Sequence, residues 1–133
     1  MEKILGKFSP YAYALMRIMV GLLFACNGAR KLFGAFGGMR GTGAPAELFT
    51  QLWFAGLIEF VAGGLVAIGL WTGFAAFIAS GEMAVAYFQA HFPKDFWPIL
   101  NAGERAVFYC FVFLYIAARG TVVWGVERIW QRR

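Results

Sequence analysis

Four long apolar segments constrain the fold of this chain most strongly. The first runs from Tyr11 to Phe33, which exceeds the about 20 residues that a helix needs to cross a bilayer. Stretches rich in glycine or proline separate the segments, so the sequence predicts helices at about 10–33, 45–70, 73–91 and 102–124. Hydrophobic residues make up 61% of the chain and charged residues only 14%. Because soluble proteins carry about 25% charged residues, the excess apolar surface is expected to face lipid.

The predicted fold class is all-α: an integral membrane antiparallel four-helix bundle, formed by one four-span domain over residues 1–133. Four spans place both termini on the same side of the membrane. Tyrosines and tryptophans fall near the predicted helix ends, as in the aromatic belt of a membrane protein. Lysine and arginine are slightly more frequent on the terminal side, which favours cytoplasmic termini. The expected location is therefore the cell membrane, as a multi-pass protein, with the lipid bilayer as its first partner.

Capping signals predict where the helices begin. Serine, threonine and asparagine favour the position before a helix, and proline and acidic residues favour its first turn. The predicted starts are Ser9 followed by Pro10, Pro45 with Glu47 in the first turn, Thr72, and the capping-box spacing of Asn101 and Glu104.

Three ionisable side chains fall well inside the predicted spans: Arg17, Glu59 and Glu82. A rise of about 1.5 Å per residue puts their levels within about 9 Å of one another, so we expect an intramembrane cluster. One arginine facing two carboxylates leaves a negative charge unpaired, and one carboxyl group is then expected to hold or share a proton. Glu59 and Glu82 are the predicted catalytic, proton-handling residues, and Arg17 is a predicted ligand-binding residue. The alternative is that the cluster only fixes the register of the helices.

A second polar group is predicted nearer the loop side of the membrane. Four of its members are candidate ligand-binding residues: Asn27, His91, Asn101 and Glu104. Each also has an ordinary structural interpretation, because asparagine forms hydrogen bonds between membrane helices, and histidine and glutamate are common at helix ends.

Several classes of site and partner are not expected. One histidine and two cysteines without a CxxC motif supply too few ligands for a metal site. Cys26 and Cys110 fall at similar predicted depth, which leaves a contact between them open. No haem, iron–sulfur or nucleotide motif is present, so no intrinsic cofactor is expected. Basic residues concentrate near the chain ends instead of forming a patch, so no nucleic-acid partner is expected.

Each predicted helix also resembles part of a known family. RIMVGLLFACNGARKLFG resembles the first helix of the DoxX family, and GLIEFVAGGLVAIGLWTG resembles the second. EMAVAYFQAH and NAGERAVFY fit the third and fourth helices. The matching positions are Arg17, Gly21, Phe24, Gly28, Lys31, Leu32, Phe33, Gly56, Glu59, Gly63, Gly69, Thr72, Met83, Ala86, His91, Asn101 and Glu104. Members of the family often have an arginine after that threonine, where this chain has Gly73.

The resemblance implies a small four-helix integral membrane protein of a bacterial inner membrane. Some relatives are subunits of a thiosulfate:quinone oxidoreductase, and others are associated with redox and oxidative-stress systems. The expected function is a redox membrane subunit that handles a quinone or another small redox-active molecule, with electrons from a partner protein or from the substrate. The alternative is a non-catalytic membrane anchor or assembly partner that binds another protein or a second copy of itself. A carrier is less favoured, because the chain shows no inverted repeat.

Overall fold

The computed structural model describes residues 1–133, of which 71% are helical and none form strands. The predicted all-helical class is therefore confirmed. The helices, in chain order, are α1 (Glu2–Leu5), α2 (Ser9–Phe33), α3 (Gln51–Ile68), α4 (Thr72–Ala86), α5 (Glu104–Arg119) and α6 (Val126–Gln131). A 3-10 turn joins α1 to α2, and a π-helical turn, Tyr87–His91, extends α4. Two helical segments, Glu2–Phe33 and Gln51–Ile68, are long and apolar enough to cross a membrane.

The start of α3 differs from the prediction. It begins at Gln51 and not at Pro45, and Glu47 lies in the preceding turn instead of the first helical turn. Thr50 is the capping residue, because its Oγ1 accepts a hydrogen bond from the backbone N–H of Trp53 at 3.3 Å. The segment 45–50 lies beside the end of α2 instead of forming a helix. The Ala46 N–H donates to the Lys31 carbonyl at 2.7 Å.

Three other capping predictions are wrong. Ser9 lies within a continuous helical segment and does not cap it, although Pro10 does occupy the first turn of α2. The Thr72 hydroxyl lies 2.7 Å from that of Thr121 and makes no capping bond. Asn101 does not cap α5, which follows Gly103, and its Oδ1 accepts a bond from the Gly103 N–H. The helix predicted at 102–124, with an end near Arg119 or Trp124, ends at Arg119, and Gly120, with a φ of 74°, follows it.

Glycines set the packing of α2 against α3. A Cβ at Gly21 would lie 2.6 Å from the backbone nitrogen of Ala67, and a Cβ at Gly63 would lie 2.6 Å from that of Ala25. One heptad further along α2, Gly28 meets the backbone of α3 at Gly56. Because later residues of α2 face earlier residues of α3, the two helices run antiparallel. Backbones this close leave no space for any side chain at these positions.

The other two long helices, α4 and α5, pack against each other, and α5 also contacts α2. Ser80 of α4 donates its hydroxyl hydrogen to the carbonyl of Cys110 on α5 at 2.7 Å. Phe24 of α2 contacts α5, where its ring centroid lies 4.7 Å from that of Phe113. Small residues of α4 and large residues of α5 share the core: Ala75, Ala76, Ala79, Phe113 and Ile116.

The close contact of Gly63 with α2 predicts that alanine substitutions at two adjacent glycines, Gly63 and Gly64, have different effects on stability. Gly63→Ala is expected to lower the free energy of unfolding by about 1–3 kcal/mol, because the added methyl group collides with the backbone of α2. Gly64→Ala is the matched control, since a Cβ there meets nothing within 4 Å. We expect Gly64→Ala to unfold like the parent protein or at a higher temperature. Thermal unfolding followed by circular dichroism in detergent measures both, and equal losses of stability would contradict the packing.

Candidate functional site

A cavity of about 910 Å³ lies between α2, α3, α4 and α5. It occupies the half of the structure next to the 34–50 and 92–103 loops. Of its 22 lining residues 13 are hydrophobic, and most of the others are charged or carry amide groups. A volume in the range of about 300–1,000 Å³ with a few polar groups in an apolar wall is typical of small-molecule sites.

An ion pair lies in the wall of this cavity. Lys31 Nζ, near the end of α2, is 2.5 Å from Oε1 of Glu59 on α3. The Glu59 side chain is only 2% exposed, and its second oxygen, Oε2, has no hydrogen-bond partner. Gly56 makes the pair sterically possible, because a Cβ there would lie 2.6 Å from that of Lys31. The cavity therefore contains a cation with spare N–H donors beside a carboxylate with a free acceptor.

A second carboxyl group lines the same cavity. Glu82 of α4 is half-buried, and its Oε2 is buried without a hydrogen-bond partner. Arg105 of α5 is an exposed residue at the cavity wall. The charged residues of the wall are thus two acids, Glu59 and Glu82, and two bases, Lys31 and Arg105. A buried oxygen without a partner is costly, so a ligand that donates hydrogen bonds to it is stabilised there.

The π-helical turn completes the polar wall. The Phe92 N–H donates to the Tyr87 carbonyl at 2.9 Å, which is the wider i→i+5 bond of a π turn. Both Gln89 and His91 lie in this turn and line the cavity. The Gln51 amide of α3 donates to the Gln89 amide oxygen, so the two side chains bridge α3 and α4. His91 Nδ1 lies 3.1 Å from the Asn101 carbonyl oxygen.

Aromatic rings form another part of the cavity wall. Phe24 and Tyr109 both line the cavity, with their centroids 5.2 Å apart, and Phe113 stacks against Tyr109. Asn27 also lines the cavity, and its Nδ2 donates to the Leu23 carbonyl of its own helix at 3.1 Å. A cavity wall with both flat rings and charged groups suits a ligand that has a planar apolar face and polar edges.

The structure joins four of the predicted site residues that the sequence placed in two separate groups. Glu59, Glu82, Asn27 and His91 all line this one cavity. Their side chains come from α2, from α3 and from α4 with its π turn, and the packing of these helices brings them to one cavity.

Arg17 is not part of the site, and the predicted Arg17–Glu59–Glu82 cluster is wrong. Its guanidinium is fully buried and donates to four backbone carbonyls and to no carboxylate. Side chains on a helix lean toward its N-terminus, so Arg17 leans toward the terminal side. For the same reason Glu59, on the antiparallel α3, leans the opposite way and meets Lys31.

Asn101 and Glu104, two further predicted ligand-binding residues, do not line the cavity. The Asn101 side chain is buried in the loop before α5, where its Nδ2 donates to the Asp95 carbonyl at 2.9 Å and its Oδ1 accepts from Gly103. Glu104 is exposed at the start of α5. The first holds a loop in place, and the second is in the first helical turn, where the helix dipole favours an acid.

Sequence reasoning missed four polar residues of the wall: Lys31, Gln51, Arg105 and Tyr109. A signal for Lys31 was present. The equal spacing of Gly21 with Gly28 and of Gly56 with Gly63 indicates the register of two antiparallel helices, and Lys31 follows Gly28 by about one turn. The other three depend on how α4 and α5 pack, for which the sequence offered no comparable pattern.

The two cysteines are both free and half-buried. Cys110 Sγ lies 3.5 Å from the Ser80 hydroxyl, so it contacts α4. No group of three or more His, Cys, Asp or Glu side chains is arranged to hold a metal ion.

The fold and cavity define an all-helical protein with two membrane-length apolar helices and a charged cavity between its helices. The sequence profile of the DoxX family matches residues 12–92, so the chain belongs to the DoxX family, whose members are membrane-associated. A protein of Haemophilus influenzae (strain ATCC 51907 / DSM 11121 / KW20 / Rd) is 40% identical over 123 residues, with 87% of this chain and 88% of that protein covered. Its description is "Uncharacterized protein". No solved structure matches the chain significantly.

Proposed function

We propose that this DoxX-family protein is a four-span membrane protein that binds a small redox-active molecule of the quinone class in the cavity beside Lys31 and Glu59. Glu59 and Glu82 exchange protons with the bound molecule. The observation that carries the proposal is the Glu59 carboxylate, which is almost completely buried, paired through one oxygen and without a partner at the other.

The outer surfaces of α4 and α5 support four spans. With its π turn, α4 extends over Thr72–His91, a length of about 30 Å at about 1.5 Å per residue. Both helices expose large apolar side chains: Phe74, Phe77, Phe88, Phe108, Phe111 and Leu114. Such surfaces are stable against lipid and unfavourable in water. The proposed arrangement is an antiparallel four-helix membrane bundle, multi-pass in a bacterial inner membrane, with both termini in the cytoplasm.

The wall of the cavity fits the chemistry of a quinone. Lys31 can donate a hydrogen bond to a ring carbonyl oxygen, and Glu59 Oε2 can accept one from the hydroxyl group of the reduced quinol. Reduction of a quinone to a quinol takes up two electrons and two protons. The protons pass through Glu59 and Glu82, and the electrons come from a redox partner protein or from a reducing substrate, since the chain has no motif for a redox cofactor of its own.

This proposal predicts that Glu59→Gln weakens binding of the quinol more than binding of the quinone. The probe is a dimethoxy-methyl-benzoquinone without a tail, titrated against the purified protein in its oxidised form and in its dithionite-reduced form. Loss of a hydrogen bond to a charged group costs about 1.5–3 kcal/mol. We therefore expect quinol affinity to fall at least about tenfold, whereas quinone affinity should stay nearly unchanged.

Glu104→Gln is the matched control, because it removes a carboxylate on the same side of the protein but outside the cavity. It should bind both forms like the parent protein. Absence of saturable binding by the parent protein, or an unchanged quinol affinity in Glu59→Gln, would contradict the proposal. Either result would favour a non-catalytic membrane anchor, and purification of a bound partner protein would then be the next experiment.

A further inference from the structure

We infer that the gap between α3 and α4 opens the cavity sideways into the bilayer and holds an apolar tail of the ligand. This inference rests on the proposed function and deepens it, since it identifies the ligand as a membrane-dissolved amphiphile with a polar head and an apolar tail.

Between α3 and α4, residues that are both exposed and part of the cavity wall mark the gap: Leu52, Phe54, Ile78, Gly81 and Val85. The other exposed wall residues, Gln51, Gln89, Ala90, Ala102 and Arg105, lie toward the loop side. The three gap residues on α4 follow the helical spacing of one face, so they form a continuous edge along that helix. All five residues of the gap are apolar, and the opening that they border is therefore suited to hydrocarbon and not to water.

The two ends of this gap are closed. On the loop side, the hydrogen bond between Gln51 and Gln89 joins α3 to α4. On the terminal side, α3 ends at Ile68 and α4 begins at Thr72, so a short turn holds the helices together. Gly81 lies between these ends, about 12 Å from Gln89 along α4 at about 1.5 Å per residue. The opening is therefore lateral and at mid-depth of the helices.

Gly81 leaves the gap empty at this level. A Cβ at Gly81 would meet nothing within 4 Å, whereas one at Gly63 would collide with the neighbouring helix. Gly81 is therefore not needed for helix packing. Glu82 follows directly, with a buried oxygen that has no partner, and Glu59 lies in the same cavity, almost completely buried. The cavity is thus apolar at its opening to lipid and charged inside. An amphiphile with its polar head beside Glu59 and Glu82 would have its apolar tail in the gap beside Gly81.

The test compares two quinones with the same ring, the tailless dimethoxy-methyl-benzoquinone and its decyl derivative. In Gly81→Leu, the leucine side chain fills the gap. Equilibrium affinity does not depend on the entry route, so only a tail that occupies the gap is affected. We expect the decyl compound to bind at least about tenfold more weakly to Gly81→Leu than to the parent protein, and the tailless ring to change less than about twofold. Gly64→Leu, at a second glycine with open space, is the control and should change neither.

The outcomes separate this inference from the proposal beneath it. An unchanged decyl affinity in Gly81→Leu, or an equal loss for both quinones, overturns the tail site while the proposed function stands. If the parent protein binds the tailless ring but not the decyl compound, the tail site is likewise overturned and the proposed function stands. A parent protein that binds neither quinone overturns both. Circular dichroism of Gly81→Leu shows whether the variant folds, and Ile78→Trp, which narrows the same gap from one edge, should reproduce the selective loss.

Discussion

Replacement of Arg17 by methionine is expected to destabilise this protein strongly. The Arg17 side chain is completely buried and donates four hydrogen bonds to backbone carbonyls. Nη1 lies 2.5 Å from the Val66 carbonyl oxygen and 3.1 Å from that of Ala67. Nη2 lies 3.1 Å and 2.8 Å from the carbonyl oxygens of Val123 and Trp124. One guanidinium thus joins α2 to the end of α3 and to the segment after α5.

The carbonyls of Val66 and Ala67 need Arg17 as a donor because they lie at the C-terminal end of α3. The last four carbonyls of a helix have no partner within it. In α3, the N–H groups of Gly69 and Leu70 both donate to Leu65, which leaves Val66 and Ala67 to Arg17. Gly69 also leaves space for the guanidinium, since a Cβ there would lie 3.1 Å from Nη1.

We expect Arg17→Met to lose at least about 3–5 kcal/mol of stability, the range observed when one partner of a buried charged interaction is removed. The measurements are the yield of monodisperse protein in detergent and its thermal unfolding temperature. Arg17→Lys should recover only part of the loss, because an ammonium group does not have the planar fork of a guanidinium. The fraction of Arg17→Lys that folds should bind the quinone probe like the parent protein, since Arg17 lies outside the cavity.

Arg128→Met is the control for this series. It removes an exposed arginine whose only side-chain bond is to the exposed Gln131, and it should leave stability unchanged. If Arg17→Met were as stable as Arg128→Met, the four hydrogen bonds would contribute nothing, and the account of Arg17 as a structural residue would be wrong.

Substitutions in the Lys31–Glu59 pair are also expected to have large effects. Stability and ligand binding should respond differently to them. Lys31→Met leaves a buried carboxylate without its cation, which costs about 3–5 kcal/mol. The double variant Lys31→Met with Glu59→Leu removes both charges, and replacement of a buried pair by apolar groups is often neutral or stabilising. We therefore expect the double variant to regain most of the stability and still fail to bind the quinol probe. Unfolding and binding measurements on the parent, the two single variants and the double variant form a complete cycle.

Lys94→Met, which removes an exposed lysine from the loop before α5, is the control and should affect neither property. Quinol binding by the double variant would show that the pair is structural only. If the double variant were as unstable as Lys31→Met, the unpaired charge would not be the cause of the lost stability.

The sequence predicted the elements of this fold more reliably than their ends. Apolar segments of sufficient length between glycine- and proline-rich breaks identified α2, α3, α4 and α5. The start of α3 was missed by six residues, because the 45–50 segment carries helix-start signals but bonds to the end of α2 through Ala46 instead. The start of a helix depends on which backbone N–H groups have no other partner. A hydrogen bond between distant segments, such as that of Ala46 with Lys31, changes which N–H groups are free.

By itself the sequence determined that the chain is all-helical and that Glu59 and Glu82 are ionisable groups in apolar surroundings. Only the tertiary structure decided which cation pairs with Glu59. Side chains lean toward the N-terminus of their own helix, so antiparallel packing turns Arg17 and Glu59 away from each other and brings Lys31 to the carboxylate. The gap beside Gly81 was also invisible in the sequence, because a glycine that packs against a helix and a glycine that borders an open space are written with the same letter.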